Sequence, residues 1–229
     1  MDLEIKKGNK KAVLLGATGL VGQHCLKLLV EHDAYDEILC LTRRPLNMKS
    51  GKITNQVIDF KELEEYADLI CGDDLFLCLG TTKAKAGSKR AFYEVDFSYN
   101  YKSAMYAKKN GMSQALLVSS VGANSSSLFF YTRVKGELEK TIKDLGFWST
   151  HIFRPSLLQG KREEPRLKEE LAVVLGKGIN LLTKGGLANL TPIDAKQVAE
   201  AMVNAAQKIK KGINYYESNQ LRSIISYEK

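Results

Sequence analysis

The sequence predicts an α/β fold in which a doubly wound parallel sheet carries helices on both faces. Short apolar runs alternate with segments of helical periodicity from residue 11 to residue 153, which is typical of this architecture. The runs are apolar throughout instead of alternating with polar residues, as expected when both faces of each strand are covered. The chain has 229 residues, enough for one domain with its own core.

Each element is predicted from its local pattern. Strands are predicted where apolar residues run together, and helices where they recur every three or four positions. Gly111 and Gly146 are predicted to end two of the helices. The predicted strands cover residues 11–16, 37–42, 56–60, 75–79, 115–118 and 147–153, with a weak strand at 213–217. The predicted helices cover residues 20–32, 92–110, 131–145 and 194–209, with a helical pattern near 167–175.

The C-terminal part of the chain is predicted to be an extension and not a second domain. Residues 154–229 are few for an independent domain. We therefore expect a single domain over 1–229, in which 154–229 form a small substrate lobe. The apolar and charged fractions, 44% and 26%, are those of a globular protein and argue against disorder or a fibrous fold for the whole chain.

Composition also narrows the compartment and the classes of ligand. The four cysteines lie in or beside apolar stretches and form no C-x-x-C pair, so they are interpreted as packing residues. The three histidines are scattered without metal-ligand spacing, and no metal site is predicted. No apolar run is long enough to span a membrane, and no signal-peptide pattern opens the chain. A cytoplasmic protein without membrane contact is the expectation.

A glycine-rich turn, Gly16-Ala-Thr-Gly19-Leu-Val-Gly22, joins the first predicted strand to the first helix. Glycine lets the backbone approach a pyrophosphate, and the helix that follows offers free N–H groups and the positive end of its dipole. The turn predicts a Rossmann-type dinucleotide site, although a tight turn can need glycine without a ligand. The candidate cofactor contacts here are Gly16, Thr18, Gly19, Leu20, Val21 and Gly22.

The end of the second predicted strand indicates which dinucleotide binds. Domains that prefer NAD carry an acidic residue there, whereas this strand is followed by Arg43 and Arg44. Two guanidinium groups suit a 2′-phosphate, which predicts NADP(H); the alternative is two solvated surface arginines. Asp59 follows the third strand, and it is predicted either to contact the adenine or to cap the next helix.

The chain resembles the short-chain dehydrogenase/reductase superfamily, in its extended or atypical branch. The blocks that carry the resemblance run along most of the chain: GATGLVG (16–22), TRRPL (42–46), CLGTTKAKAGSKRAFYEVD (78–96), LLVSSVGA (116–123), FYTRVKGELE (130–139), IFRPSLLQGKR (152–162) and TPIDAKQVAEA (191–201). The third and fifth blocks are most similar to the oxidoreductases related to the Tat-interacting tumour suppressor. This resemblance implies NADPH binding and a small substrate lobe, and says little about the substrate.

The superfamily uses a serine, a tyrosine and a lysine four residues after the tyrosine. The resemblance assigns these roles to Ser120, Tyr131 and Lys135, with Ser119 as the alternative serine. Residues four apart lie on one face of a helix, so the Lys135 ammonium can lie near the phenol and the cofactor ribose. A nearby cation favours the phenolate, and the tyrosine can then exchange a proton with a carbonyl or an alcohol. The alternative is an aromatic residue that merely starts a helix.

The resemblance adds further contacts at the ends of the later strands. The loop after the fourth strand, Leu79 to Thr82, is expected beside the ribose and pyrophosphate, with a plain turn as the alternative. Arg154 and Pro155 are expected near the nicotinamide. Lys161 and Arg162 either meet an acidic substrate or stay solvated. The added candidate cofactor contacts are Leu79, Gly80, Thr81, Thr82, Ser119, Tyr131, Lys135, Arg154 and Pro155.

The predicted function is hydride transfer between NADP(H) and a small carbonyl or alcohol substrate. An NADPH-binding scaffold or redox sensor without turnover is the alternative, and a sugar-nucleotide epimerase or dehydratase is a weaker one. The net charge of +8 does not predict specific nucleic-acid binding, because the basic runs at Lys6–Lys11 and Lys208–Lys211 lack interleaved aromatics. A homodimer through the helices that begin near 92 and 131 stays open.

Overall fold

A computed structural model describes residues 8–160, 191–208 and 210–221. Seven parallel strands form one sheet in the order β3-β2-β1-β4-β5-β6-β9, and β7 pairs with β8 in a small second sheet. The strands are β1 (Lys10–Leu15), β2 (Tyr35–Thr42), β3 (Ile53–Val57), β4 (Asp74–Leu77), β5 (Gln114–Val118), β6 (Ser149–Arg154), β7 (Leu158–Gln159), β8 (Ile193–Asp194) and β9 (Gly212–Glu217). The predicted doubly wound parallel sheet is confirmed.

Helices cover both faces of the sheet. One face packs against α1 (Gly22–Glu31) and α6 (Ala195–Ala206), and the other against a 3₁₀ helix (Phe60–Leu69), α4 (Tyr99–Lys109) and α5 (Phe130–Asp144). Two short helices, α2 (Lys83–Ala86) and α3 (Lys89–Tyr93), and a π-helical segment (Glu94–Ser98) precede α4.

The central strands show why apolar runs without alternation predict a sheet that is covered on both faces. In β1, Ala12 and Leu14 point into the core beneath α1 and α6, whereas Val13 and Leu15 point into the core beneath α4 and α5. All four side chains are fully buried. A polar residue at any of them would lack a partner, so each position must be apolar.

Two predicted elements differ from the structure. The strand predicted at 56–60 lies earlier, at Ile53–Val57, because Asp59 accepts a hydrogen bond from the Lys61 N–H and starts a helix at Phe60. The helix predicted at 92–110 is interrupted by the π-helical segment, which apolar periodicity does not reveal.

The C-terminal part of the chain contributes to the main sheet. Strand β9 pairs with β6 from Ser149 opposite Gly212 to Arg154 opposite Glu217, so the predicted weak strand is the seventh strand of the sheet. Helix α6 covers the same strands. The helical pattern near 167–175, Lys161 and Arg162 lie outside the described residues. The substrate lobe at 154–229 stays a prediction.

A buried polar cluster lies near the amino ends of the strands, at the edge of the sheet opposite the carboxyl ends of β1 and β4. His151 is fully buried; its Nε2 lies 2.9 Å from the Ser149 hydroxyl and its Nδ1 lies 2.8 Å from the Tyr216 hydroxyl. Burial lowers the pKa of His151 to about 4, and the nearby charge of Lys210 adds to the effect.

His151 should therefore make stability fall in acid. The unfolded chain takes up a proton at its ordinary histidine pKa, whereas the folded chain does so only near pH 4, so stability is lost between these values. We expect the free energy of unfolding to fall by about 2 kcal/mol more in the wild type than in His151→Gln between pH 7 and 4.5. Urea unfolding at both pH values measures this difference. Equal losses in the two proteins would show that His151 is not a buried neutral base.

Candidate active site

The strand order reverses between β1 and β4, and the glycine turn lies at this point. Gly16 has a positive φ of 82°, and a Cβ on it would lie 2.5 Å from the Cys78 carbonyl oxygen. A Cβ on Gly22 would lie 2.0 Å from the Gly16 carbonyl oxygen, and the Gly19 N–H donates to that same oxygen at 2.8 Å. The turn is thus folded tightly onto itself and onto the end of β4. In α/β proteins, ligands bind in the crevice at such a switch point.

The start of α1 fits an anion. Val21 precedes the helix, and no side chain caps this end, so the positive end of the helix dipole is not matched by a local acidic cap. Thr18 is exposed and Gly19 is half-buried, which leaves this backbone accessible. Leu20 lies against Gly160, where an added Cβ would be 2.8 Å from the leucine Cδ1. The cradle made by this turn fits the pyrophosphate of a dinucleotide.

Arg43 and Arg44 are exposed directly after β2. Within the described part of the chain, neither side chain forms a hydrogen bond or an ion pair, so both guanidinium groups are available to a ligand. The turn that carries them is held by Thr42, whose hydroxyl donates to the Arg44 carbonyl oxygen at 2.8 Å. Asn55 donates to that hydroxyl and accepts from the Leu46 N–H, which fixes the turn from β3.

Asp59 serves as a cap. Its exposed carboxylate accepts from the Lys61 N–H at 2.9 Å, as one of the two sequence interpretations predicts. The adenine contact stays a prediction.

The loop after β4 is pinned from the π-helical segment and α4. Asp96 accepts from the Thr81 N–H at 2.7 Å, and Asn100 donates to the Leu79 carbonyl oxygen at 3.3 Å. Gly80 is exposed between these two anchors, and Thr82 caps the start of α2 through the Lys85 N–H. This loop therefore lies at the carboxyl edge of the sheet in a fixed shape, next to the glycine turn.

Ser119 and Arg154 belong to a partly buried network. The Ser119 hydroxyl donates to Glu139 at 2.5 Å, and the Arg154 guanidinium binds Glu139 at 2.6 Å and Glu217 at 3.0 Å. Burial alone would lower the pKa of Arg154, but its bonds to the two glutamates raise it above its ordinary value. Arg154 also lies over the Tyr215 ring. The two carboxylates thus hold the Arg154 side chain in place. The nicotinamide contacts expected of Arg154 and Pro155 stay predictions.

Pro155 is buried after Arg154 and holds the chain near Ser120. Its carbonyl oxygen accepts from the Val121 N–H at 2.9 Å. Ser120 is half-buried, and among the described residues its hydroxyl donates to the Val121 carbonyl oxygen alone, at 3.3 Å. The Ser119 hydroxyl is held by the Glu139 carboxylate at 2.5 Å, so Ser120 has the less constrained hydroxyl of the two. The catalytic role of either serine stays a prediction.

Tyr131 and Lys135 lie one turn apart on α5. Tyr131 is half-buried, its ring packs against Phe92 with centroids 5.8 Å apart, and its hydroxyl has no hydrogen-bond partner among the described residues. Lys135 is buried, and its Nζ lies 2.9 Å from Asp96 Oδ1. The predicted lysine is therefore present at the loop after β4, paired with a carboxylate that the sequence interpretation did not single out.

The short segment between Ser120 and Tyr131 packs closely against α5. A Cβ on Gly136 would lie 2.2 Å from backbone atoms of Asn124 and Ser125, so only glycine admits this approach. The Asn124 N–H donates to the Thr132 carbonyl oxygen at 3.0 Å, which ties the loop to the first turns of the helix. Gly136 thereby fixes the position of Ser120 relative to Tyr131.

The fold and this crevice define a nucleotide-binding protein of the short-chain dehydrogenase/reductase type. The sequence profile described as the NAD dependent epimerase/dehydratase family matches residues 12–129, more than half of the chain. The chain belongs to this family, whose members use a nicotinamide dinucleotide, and the resemblance found in the sequence is confirmed.

Curated proteins with similar sequences include fungal and mammalian ones. "Protein FMP52, mitochondrial" of Candida albicans is 39% identical over 207 residues, which are 88% of this chain and 88% of that protein. "Protein HTATIP2" of Rattus norvegicus is 39% identical over 173 residues, which are 74% of this chain and 71% of that protein. HTATIP2 belongs to the group of proteins that the third and fifth sequence blocks resemble.

Solved structures with the same fold include MoeE5 in complex with UDP-glucose and NAD. It matches with a TM-score of 0.68 and 14% identity over 95% of this chain and 81% of that chain. A short chain dehydrogenase family protein from Francisella tularensis subsp. tularensis SCHU S4 matches with a TM-score of 0.65 and 11% identity, over 94% of this chain and 100% of that chain. At such low identity the likeness shows the shared fold.

The expectation of a cytoplasmic protein is wrong. It is contradicted by relatives in Candida albicans, Scheffersomyces stipitis and Candida glabrata, which are all named mitochondrial. Among the residues that the structure describes, no helix is long and apolar enough to cross a membrane.

Proposed function

We propose that this protein is an NADP(H)-dependent oxidoreductase that transfers a hydride between the cofactor and a small carbonyl or alcohol substrate. The observation that carries the proposal is the placement of Tyr131 and Lys135 on one face of α5, with the Lys135 ammonium at the loop that follows β4. That loop lies beside the glycine turn, where a Cβ on Gly16 would meet the Cys78 carbonyl.

The proposed roles follow from which side chains already bond to other protein groups and which can still bond to a ligand. A bound nicotinamide would supply the hydride, or accept it in the reverse direction. The Tyr131 hydroxyl gives its proton to the carbonyl oxygen as a general acid, because no described residue engages it. Ser120 holds the same oxygen by a hydrogen bond, and Lys135 places a positive charge one helical turn away.

The choice of NADP(H) over NAD(H) rests on Arg43 and Arg44. Both are exposed after β2 without a protein partner in the described part of the chain, on a turn that Asn55 holds. Guanidinium groups bind phosphate oxygens in a fork, so the pair suits a 2′-phosphate. The structural neighbour MoeE5 holds NAD, which makes cofactor preference the sharpest property to measure.

The experiment measures oxidation of NADPH and NADH with a panel of small aldehydes and ketones. We expect the wild type to turn over at least one of them with NADPH. The double variant Arg43→Ala/Arg44→Ala should bind NADPH about tenfold to a hundredfold more weakly, while its affinity for NADH stays nearly unchanged.

Lys49→Ala is the matched control, because Lys49 is an exposed cation that follows the same strand. It should leave both affinities as they are. An Arg43/Arg44 variant that loses NADPH and NADH equally would place these arginines away from the 2′-phosphate. A wild type that binds NADPH but reduces no carbonyl would instead favour the NADPH-binding scaffold. The homodimer and the lack of specific nucleic-acid binding stay predictions.

A further inference from the structure

Two cysteines lie on either side of the glycine turn. Cys25 is in the first turn of α1, where its N–H donates to the Val21 carbonyl oxygen at 3.0 Å. Cys78 directly follows β4, and its N–H donates to the Leu15 carbonyl oxygen of β1 at 3.0 Å. A Cβ on Gly16 would lie 2.5 Å from the Cys78 carbonyl oxygen. The start of α1 and the end of β4 are therefore joined through one tight turn.

Both cysteine side chains belong to the same face of the sheet. Phe76 and Cys78 are alternate residues of one extended segment, so their side chains lie on the same side, and Phe76 is part of the core beneath α1. Cys25 is fully buried in that core, and Cys78 packs against it while half-buried. The Cys25 thiol also lies 4.0 Å from the sulfur of Met202 on α6. Cys25 is thus enclosed, whereas Cys78 keeps some exposed surface at the switch point of the sheet.

The two thiols interact with each other. A hydrogen bond with Cys78, burial, and the charge of Cys78 all raise the pKa of Cys25 well above its ordinary value. Cys25 therefore stays a protonated thiol at neutral pH, and the thiolate is the form that attacks an oxidant. Because Cys25 also has no exposed surface, an oxidant meets Cys78 first. Cys25 is then the sulfur that lies next to the oxidised Cys78.

We propose that Cys78 and Cys25 close to a disulfide when a peroxide oxidises the protein, and that this bond weakens dinucleotide binding at the glycine turn. The peroxide transfers one oxygen atom to the Cys78 sulfur, which becomes a sulfenic acid, and the peroxide is reduced to an alcohol or to water. The Cys25 sulfur then displaces the hydroxyl group of the sulfenic acid. That hydroxyl leaves with the Cys25 proton as water, and the S–S bond forms.

The disulfide is expected to alter the turn because the turn is tightly packed. A disulfide holds its sulfur atoms about 2 Å apart, well inside the contact distance of unbonded sulfurs, so it draws the start of α1 toward β4. A Cβ on Gly22 would lie 2.0 Å from the Gly16 carbonyl oxygen, which shows how closely α1 already approaches this backbone. The cradle proposed for the pyrophosphate therefore changes shape. This effect on binding rests on the proposed function, whereas formation of the disulfide does not.

Peroxide treatment of the full chain tests the proposal. The protein is reduced, freed of reductant and cofactor, treated with hydrogen peroxide, alkylated and digested for mass spectrometry. We expect a disulfide between the Cys25 and Cys78 peptides that dithiothreitol removes. NADPH affinity should fall about tenfold in the oxidised protein and return on reduction. Because linkage is reciprocal, saturating NADPH should shift the thiol–disulfide equilibrium in a glutathione buffer about tenfold toward the thiols.

Cys71→Ser is the matched control. Cys71 is a half-buried cysteine just before β4, at the opposite end of that strand, where its sulfur accepts from the Lys11 Nζ at 3.9 Å. This variant should form the disulfide and lose NADPH affinity as the wild type does. Cys25→Ala should bind NADPH equally well before and after peroxide treatment. Cys78→Ser should form no disulfide either, and it keeps the test available if Cys25→Ala does not fold.

The outcomes separate this proposal from the proposed function. A treated wild type without a Cys25–Cys78 disulfide would overturn the proposal, and so would a disulfide that leaves NADPH affinity unchanged. Disulfide formation in Cys25→Ala at the wild-type yield would also overturn it, since another cysteine would then be the partner. A reduced wild type that binds no NADPH would refute the proposed function, and the disulfide map, made without cofactor, would still decide whether the two cysteines pair.

Discussion

Replacement of Gly22 by alanine is expected to abolish tight binding of a nicotinamide dinucleotide and to leave the sheet folded. The new Cβ would lie 2.0 Å from the Gly16 carbonyl oxygen and 2.7 Å from the Gly16 carbonyl carbon. Both are backbone atoms, so the clash cannot be relieved by a side-chain rotation. The start of α1 must move away from Gly16, and this motion opens the cradle that would hold the pyrophosphate.

The expected loss is about thirtyfold or more in affinity, since overpacking a close backbone contact costs about 2 kcal/mol. Titration of NADPH fluorescence measures the affinity, and circular dichroism checks the fold. Gly51→Ala is the matched control, because a Cβ there meets no atom within 4 Å. Wild-type affinity in Gly22→Ala would mean that this glycine serves only the strand-to-helix turn, which is the alternative that the sequence left open.

The sequence is most informative where the local backbone or the local burial requires a particular type of residue. Gly16 and Gly22 are required by the backbone atoms that surround them, and a glycine pattern between a strand and a helix reveals that demand. The central strands are apolar on both faces because helices cover both, so the parallel sheet could be predicted from the runs alone.

Residues whose roles depend on distant partners could not be predicted in the same way. Arg154 ends a strand at the expected place, but Glu139 and Glu217 hold it from an adjacent helix and strand. Asp96 lies inside a segment whose apolar periodicity predicts one regular helix, and its contacts come from residues 15 and 39 positions away along the chain. Side-chain pairing of this kind follows from the packed fold and has no local pattern.

Gly136 is an intermediate case. A glycine inside a helix lowers helical propensity, and this could have prompted a search for a close contact on that face. The contact is the loop at Asn124 and Ser125. Its identity depends on how the chain after Ser120 returns to α5, and the sequence does not show that path.

Replacement of Tyr131 by phenylalanine is expected to remove most of the turnover and to leave cofactor binding intact. The ring can keep its packing against Phe92, so only the hydroxyl is lost. As the proposed general acid, that hydroxyl should contribute about a hundredfold to ten-thousandfold to the rate of carbonyl reduction. Single-turnover oxidation of NADPH with the best carbonyl of the panel measures the rate, and a titration measures NADPH affinity.

Tyr106→Phe is the matched control, since Tyr106 is a half-buried tyrosine on α4 whose ring packs on the core. It should react at the wild-type rate. If Tyr131→Phe also reacted at that rate, the proton would have to come from another group, and the Ser120 hydroxyl after β5 would be the next candidate. Loss of NADPH affinity in Tyr131→Phe would indicate instead that the tyrosine shapes the cofactor site. A lower rate at unchanged affinity is the result that only a chemical role for the hydroxyl explains.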